Sequence, residues 1–233
     1  MTELRPAGST AQARRPVLLR WIRRLGQLYL GLVLYGVSAA MQVQAGLGLD
    51  PWDVLHQGIA LELDRKIGTV SIAVGVLVLL LWIPLRQRPG LGTVSNVLVV
   101  GLTMNATLAV LPEQHRNAGR GALLAGAVLL CGVATGMYIS AGFGPGPRDG
   151  LMTGIARRVG ISIRLSRTIV ELTVLVTGWL LGGTVGVGTV LFAVAIGPLA
   201  QLFLRLFARV GLDSSNVTRT ARRTPEAALT RPN

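Results

Sequence analysis

The stretch GLGLDPWDVLHQGIA, beginning at Gly46, returns as GFGPGPRDGLMTGIA, beginning at Gly142, an offset of 96 residues. The same offset carries Gly36-Val37 onto Gly132-Val133, Met41 onto Met137 and Ala45 onto Ala141. It carries Gly90, Gly92, Thr93, Val94 and Gly101 onto Gly186, Gly188, Thr189, Val190 and Gly197, without a gap. Glycines and prolines do not coincide at one fixed spacing over such a length by chance. The chain is a duplication, and each half must supply half of the fold.

The solvent of that fold is set by hydropathy. The chain is 51% hydrophobic and 14% charged, with a mean hydropathy of +0.56. Six apolar segments approach the ~20 residues that cross a bilayer as a helix. They run over 25–45, 68–85, 91–111, 121–141, 168–181 (short) and 185–207. None alternates as a barrel strand would. The expected fold is all-α and integral to the membrane. It has six transmembrane helices in two three-helix repeats, over 25–111 and 121–207. The flanks are a basic cytoplasmic segment over 1–24 and a polar tail over 213–233, read as disordered. The first apolar run is too long for a signal-peptide core and reads as an uncleaved helix.

An odd number of spans per repeat makes the second repeat enter from the opposite side, the inverted topology of many secondary transporters. Charge gives the same arrangement. The formal net charge is +13, yet the basic residues sit between and beyond the apolar runs, a topology signal and not a nucleic-acid surface. Six spans with the N-terminus inside leave Arg65, Lys66, Arg116 and Arg120 outside. The cytoplasmic side then holds Arg5, Arg14, Arg15, Arg20, Arg23, Arg24, Arg86, Arg88, Arg148, Arg157, Arg158, Arg164, Arg167, Arg205 and Arg209. Both termini are expected in the cytoplasm.

Each repeated phrase has the grammar of a helix start. Gly46 and Gly48, like Gly142 and Gly144, permit a sharp turn. Asp50 or Gly146 stands at the cap, Pro51 or Pro147 at the first helical position, and Asp53 or Asp149 at the third. The helix that follows has about twelve residues, too few to span. It either lies flat, with Trp52, Val54, Leu55, Ile59 and Leu63 in the interface, or re-enters and aims its N-terminus at the midplane. The two aspartates read first as caps of their helices. Arg148, which replaces Trp52 in the second copy, is the residue to meet an anion.

These residues resemble the YitT/YczE-type family of bacterial integral membrane proteins. The likeness rests on Pro51-Trp52-Asp53, on Gly144 to Gly150, and on the Gly-x-Gly-Thr segments at Gly90 and Gly186. It covers roughly 24–208. No long soluble domain follows Val210, so the YczE-like branch is nearer. The resemblance implies a bacterial cytoplasmic (inner) membrane location and a helical fold. It implies no substrate or reaction.

Ionisable side chains inside a membrane mark function or pair with one another. Glu171 lies within the fifth span, and Arg167, one helical turn earlier, shares its face. The two are either a structural pair or an ion or proton site. Asp53, Asp149, Arg148, Gln42 and Asn105 complete the candidate ligand-binding set. Gln44, Asn96 and Gln201 are further polar residues suited to bridging helices. Gly132-x-x-x-Gly136 and its partner at Gly36 are expected to pack the first span on the fourth. Cys131 is a lone packing residue. His56 and His115 fall in different outer loops. No metal set, P-loop or dinucleotide fingerprint occurs, so neither an enzyme nor a cofactor is expected. Lipids are the expected partners, nucleic acid is not, and the oligomeric state is not encoded legibly. Two functions follow: a transporter or permease of a small solute, or a membrane accessory protein that binds other proteins and moves nothing.

Overall fold

The computed structural model describes residues 9–112 and 114–209, so the expected tail over 213–233 lies outside the described residues. Eight helices follow in order: α1 (Ser9–Ala45), α2 (Pro51–Glu62), α3 (Ile67–Leu81), α4 (Leu91–Val110), α5 (Asn117–Ser140), α6 (Pro147–Val159), α7 (Ile163–Leu180) and α8 (Val187–Arg209). No strand occurs among the described residues. The starts of α2, α3 and α4 recur at α6, α7 and α8 at the offset of 96 residues. Helices within Leu19–Ala45, Leu91–Val110, Asn117–Ser140 and Val187–Phe207 are long and apolar enough to cross a bilayer. The protein is an integral, multi-pass membrane protein. The other two expected spans are shorter. Apolar α3 has 15 residues, and α7 has 18 with Arg164, Arg167 and Glu171 among them. At ~1.5 Å per residue these helices reach ~22 and ~27 Å.

Helices α1 and α5 form the central pair. Ser38 Oγ donates to the Ala127 carbonyl at 2.8 Å, and Gln27 Nε2 to that of Met137 at 2.9 Å, so the two run antiparallel. Their ends are closed reciprocally. Arg120 donates from Nε and Nη2 to the carbonyls of Ala45 and Gly46 at 2.8 and 2.7 Å. Arg24, the same residue one repeat earlier, donates to Ala141 at 3.1 Å and Gly142 at 3.5 Å. Each arginine satisfies carbonyls that the end of a helix leaves without intrahelical partners. The starts of α4 and α8 are exchanged in the same way. Gly92 N donates to Phe143 O at 2.9 Å, and Gly188 N to Leu47 O at 2.8 Å.

The interfaces of α2 with α7 and of α6 with α3 are one interface written twice, with glycine on opposite partners. Gly178 of α7 lies against the backbone of Val54 and Leu55. At the equivalent positions, Gly150 of α6 lies under the indole of Trp82, whose Nε1 donates to the Pro147 carbonyl at 3.1 Å.

The small-residue pairs of α1 and α5 have other partners than expected. A Cβ on Gly132 or Gly136 would meet Leu199 or Phe203 of α8, and one on Gly36 would meet Val100 and Thr103 of α4. The small residues therefore seat the last helix of each repeat on its first. Close approach of α1 and α5 falls to Gly31, whose Cβ would lie 2.9 Å from Tyr138 N.

Helices α3 and α4 are packed together, whereas α7 and α8 have no comparable contact. A Cβ on Gly68 would strike the Gly101 carbonyl, and one on Gly75 would lie 2.9 Å from Val97. The second repeat has Arg164 and Glu171 at these positions. A Cβ on Gly197, the counterpart of Gly101, meets nothing within 4 Å. Glycines let α3 close on α4, and charged side chains at the same places accompany the separation of α7 from α8.

Candidate functional site

A G-x-G turn precedes each short helix and fixes where it points. Gly48 and Gly144 have φ of 113° and 114°, open only to glycine, and a Cβ on Gly48 would lie 2.6 Å from Gly186 N. After the first turn Asp50 caps α2, accepting from Trp52 N at 2.8 Å and Asp53 N at 3.1 Å, with Pro51 at the first helical position. Gly146 has no side chain to offer α6. The sequence places the helix starts and the Asp50 cap correctly, whereas Asp53, also expected to act as a cap, has other partners.

Those partners come from the other repeat and from its own helix. Arg148 of α6 places Nη1 3.1 Å from Asp50 Oδ1 and Nη2 3.5 Å from Asp53 Oδ1. Its guanidinium carbon lies 5.2 Å from the centroid of the Trp52 ring, within cation–π range. Asp53 Oδ1 also pairs with His56 Nδ1 at 3.0 Å. Asp50, Asp53 and His56 are 2%, 2% and 3% exposed. His56 is therefore a core residue of α2, not a loop residue. Trp52 is buried as well and does not serve as an interfacial anchor. Arg148, counted as a cytoplasmic charge from the sequence, is an inter-repeat ligand of two carboxylates. Asp53 Oδ2 and Trp52 Nε1 are buried without a partner.

A cavity of about 290 Å³ lies at this junction. Its wall is built from equivalent positions of both halves: Asp50 and Gly146, Pro51 and Pro147, Trp52 and Arg148, His56 and Met152, Ser71 and Arg167, Gly75 and Glu171, Asn96 and Phe192, Val100 and Ile196. Tyr35 and Tyr138 complete the aromatic part of the wall, their rings edge-on at 6.2 Å. Tyr138 donates a long hydrogen bond of 3.5 Å to Asp149 Oδ2. Arg167 Nε donates to Glu171 Oε1 at 2.8 Å.

Of the residues singled out from sequence, Arg148, Asp149, Arg167 and Glu171 line the cavity. Asp53 stands behind it, tied to Arg148 and His56. Gln42 is buried elsewhere, its Oε1 unpartnered. Asn105 accepts from Gly68 N at 2.9 Å and donates to Thr69 Oγ1 at 3.1 Å, stitching α4 to the start of α3. Asn96 and Gln201 do reach the cavity, whereas Gln44 is used up on the Leu111 carbonyl at 2.6 Å. Among the described residues no three His, Cys, Asp or Glu side chains are arranged to hold a metal. Tyr35 and Tyr138 carried no signal of their own, since aromatic residues in apolar helices read as packing.

A model of a family of unknown function, DUF6198, matches residues 22–205. An uncharacterized protein of Haemophilus influenzae is 41% identical over 183 residues, 78% of this chain and 84% of its own. The uncharacterized membrane protein YczE of Bacillus subtilis is 31% identical over 192 residues, 82% of this chain and 88% of its own. The uncharacterized protein YyaS of Bacillus subtilis is 25% identical over 184 residues, 77% and 92% of the two chains. These likenesses support the YczE-like side of the family resemblance. No solved structure matches.

Proposed function

The chain belongs to the DUF6198 family, and from the cavity it encloses we propose that it is a secondary transporter or permease of a small solute in the bacterial inner membrane. The observation that carries this reading is the double origin of the wall. Eight pairs of equivalent residues meet around one cavity, so the site lies where the two repeats meet. Transporters of this plan bind their solute at the repeat interface and move by rocking one repeat against the other.

In this reading the chain makes six spans in two inverted-topology repeats, with both termini in the cytoplasm. Helices α1 and α5 are equivalent by sequence and antiparallel in space, which favours a two-fold axis across them. The exchanged bonds of Arg24 and Arg120, and of Gly92 and Gly188, obey the same exchange. Helices α2 and α6 are re-entrant in this reading, their N-termini meeting at the Arg148–Asp50 pair. The gap between α7 and α8 is then the side from which the cavity is reached.

The test is uptake by the purified protein in proteoliposomes, screened against radiolabelled amines, amino acids, sugars and organic acids. Transport of at least one class, abolished by Glu171→Gln with folded yield retained, is the expected result. Absence of flux for every class would favour the accessory-protein reading instead.

A further inference from the structure

The arginines that would serve an anionic solute are already engaged. Arg148 is held between Asp50 and Asp53 of the other repeat, and Arg167 is bonded to Glu171. Against these two guanidinium groups the junction sets four carboxylates: Asp50, Asp149 and Glu171 in the cavity wall, and Asp53 immediately behind it. His56, the remaining group of the junction that could carry positive charge, is spent on Asp53. Two further observations are independent of charge. Trp52, a wall residue only 5% exposed, already accepts a guanidinium against one face of its ring. Tyr35 and Tyr138 place two more rings on the wall. Carboxylates in excess of their cationic partners attract a further positive charge, and aromatic faces hold cations that have shed their water.

We infer that the cavity binds a small organic cation, an amine or ammonium compound, between the surplus carboxylates and the Tyr35, Trp52 and Tyr138 rings. The inference rests on the reading of this cavity as the solute site and gives that solute a class. The volume, about 290 Å³, is near the lower end of the range for ligand pockets, roughly 300–1,000 Å³, and limits the guest to about the size of an arylalkylamine.

The experiment compares three probes of nearly one shape, benzylammonium, benzyl alcohol and benzoate. Binding to the purified protein in detergent is measured by thermal shift and titration calorimetry. Benzylammonium should bind and raise the melting temperature, while the neutral and anionic probes should not. Two variants on the more exposed part of the wall then give opposite signs. Glu171→Gln should weaken benzylammonium binding about tenfold, and Arg167→Gln should tighten it by a similar factor, as removal of one nearby charge implies. A merely structural pair would lower the unliganded melting temperature in both variants and shift affinity the same way. Benzoate binding as tightly as benzylammonium, no stabilisation by benzylammonium, or same-sign shifts would each overturn the inference. Flux assays on the same preparation separate it from the transport reading. Amine binding with no flux of any solute class sinks transport and keeps the cation site. Uptake confined to neutral or anionic solutes keeps transport and sinks the cation.

Discussion

Glu171 occupies in α7 the place that Gly75 occupies in α3, and both face the same cavity between the repeats. In the first half the glycine lets Val97 of α4 approach, and in the second the carboxylate is bonded to Arg167 where α7 and α8 stay apart. The duplication therefore preserved the frame and divided the labour. One half is closed by packing, and the other carries charge where α7 and α8 stay apart.

The division can be measured by one substitution made at two equivalent sites. Alanine favours a helix over glycine by up to about 1 kcal/mol where nothing obstructs it. Gly197→Ala should therefore leave thermal stability in detergent unchanged or slightly raised. Gly101→Ala would drive its Cβ to 2.5 Å from both the Gly68 carbonyl and Ile72 Cγ1, and should lose about 1–3 kcal/mol, as overpacked cores do. Equal effects at the two sites would show that α7 packs on α8 as α3 does on α4.

Asp50 has two duties, capping α2 and receiving Arg148. Asp50→Asn retains an oxygen that can cap and removes the charge that Arg148 meets. Arg148→Gln leaves Asp50 and Asp53 facing each other inside the protein. Arg148→Gln should lose about 3–5 kcal/mol of stability, the usual consequence of orphaning buried charge, and Asp50→Asn less, since Arg148 keeps Asp53. The double variant should lose clearly less than their sum, read from denaturation in detergent. Additive losses would mean that the two residues act independently and that the repeats are not joined through this pair.

Much of the frame was legible because it is local. Pro51 and Pro147 announced their helices to the residue, and the spacing of the two phrases announced the equivalence of the halves. The site was only half legible. Glu171 and Arg167 share one helix face four residues apart, and sequence spacing reports such pairs. Arg148 meets Asp50 across 98 residues, and no periodicity within either repeat encodes which side chain will cross. His56 and Trp52 were misplaced for the same reason, since a twelve-residue helix with mixed polarity reads as surface until its partners are known. Arg24 and Arg120 could have been found, for they obey the offset as strictly as the glycines do.

The exchange of glycine between the two short-helix interfaces makes a further pair of expectations. Gly150→Ala would put a methyl group into the Trp82 indole, and Gly178→Ala one into the backbone of Val54 and Leu55. An aromatic side chain can turn aside, whereas a helix backbone can only retreat as a whole. Gly178→Ala should therefore be the more damaging, with folded yield falling below that of Gly150→Ala. Combining Gly150→Ala with Trp82→Phe should recover part of the loss, because the smaller ring frees space at the α6 contact. No recovery would place the damage elsewhere than at Trp82.

Topology separates the inverted arrangement from any other. Cys131 is the single cysteine of the chain and only 2% exposed, so the native protein should be almost silent to a membrane-impermeant maleimide. That silence makes introduced cysteines readable without further engineering. Arg116, just before α5, and Arg158, in the last turn of α6, are both exposed, and in an inverted arrangement they lie on opposite sides of the membrane. The distribution of arginine puts Arg116 outside and Arg158 in the cytoplasm. Arg116→Cys should label in intact spheroplasts, and Arg158→Cys only after permeabilisation. Labelling of both from the same side would mean that α5 and α6 do not carry the chain across. The two halves would then not be inverted copies, and the alternating-access reading of the shared cavity would fall with them.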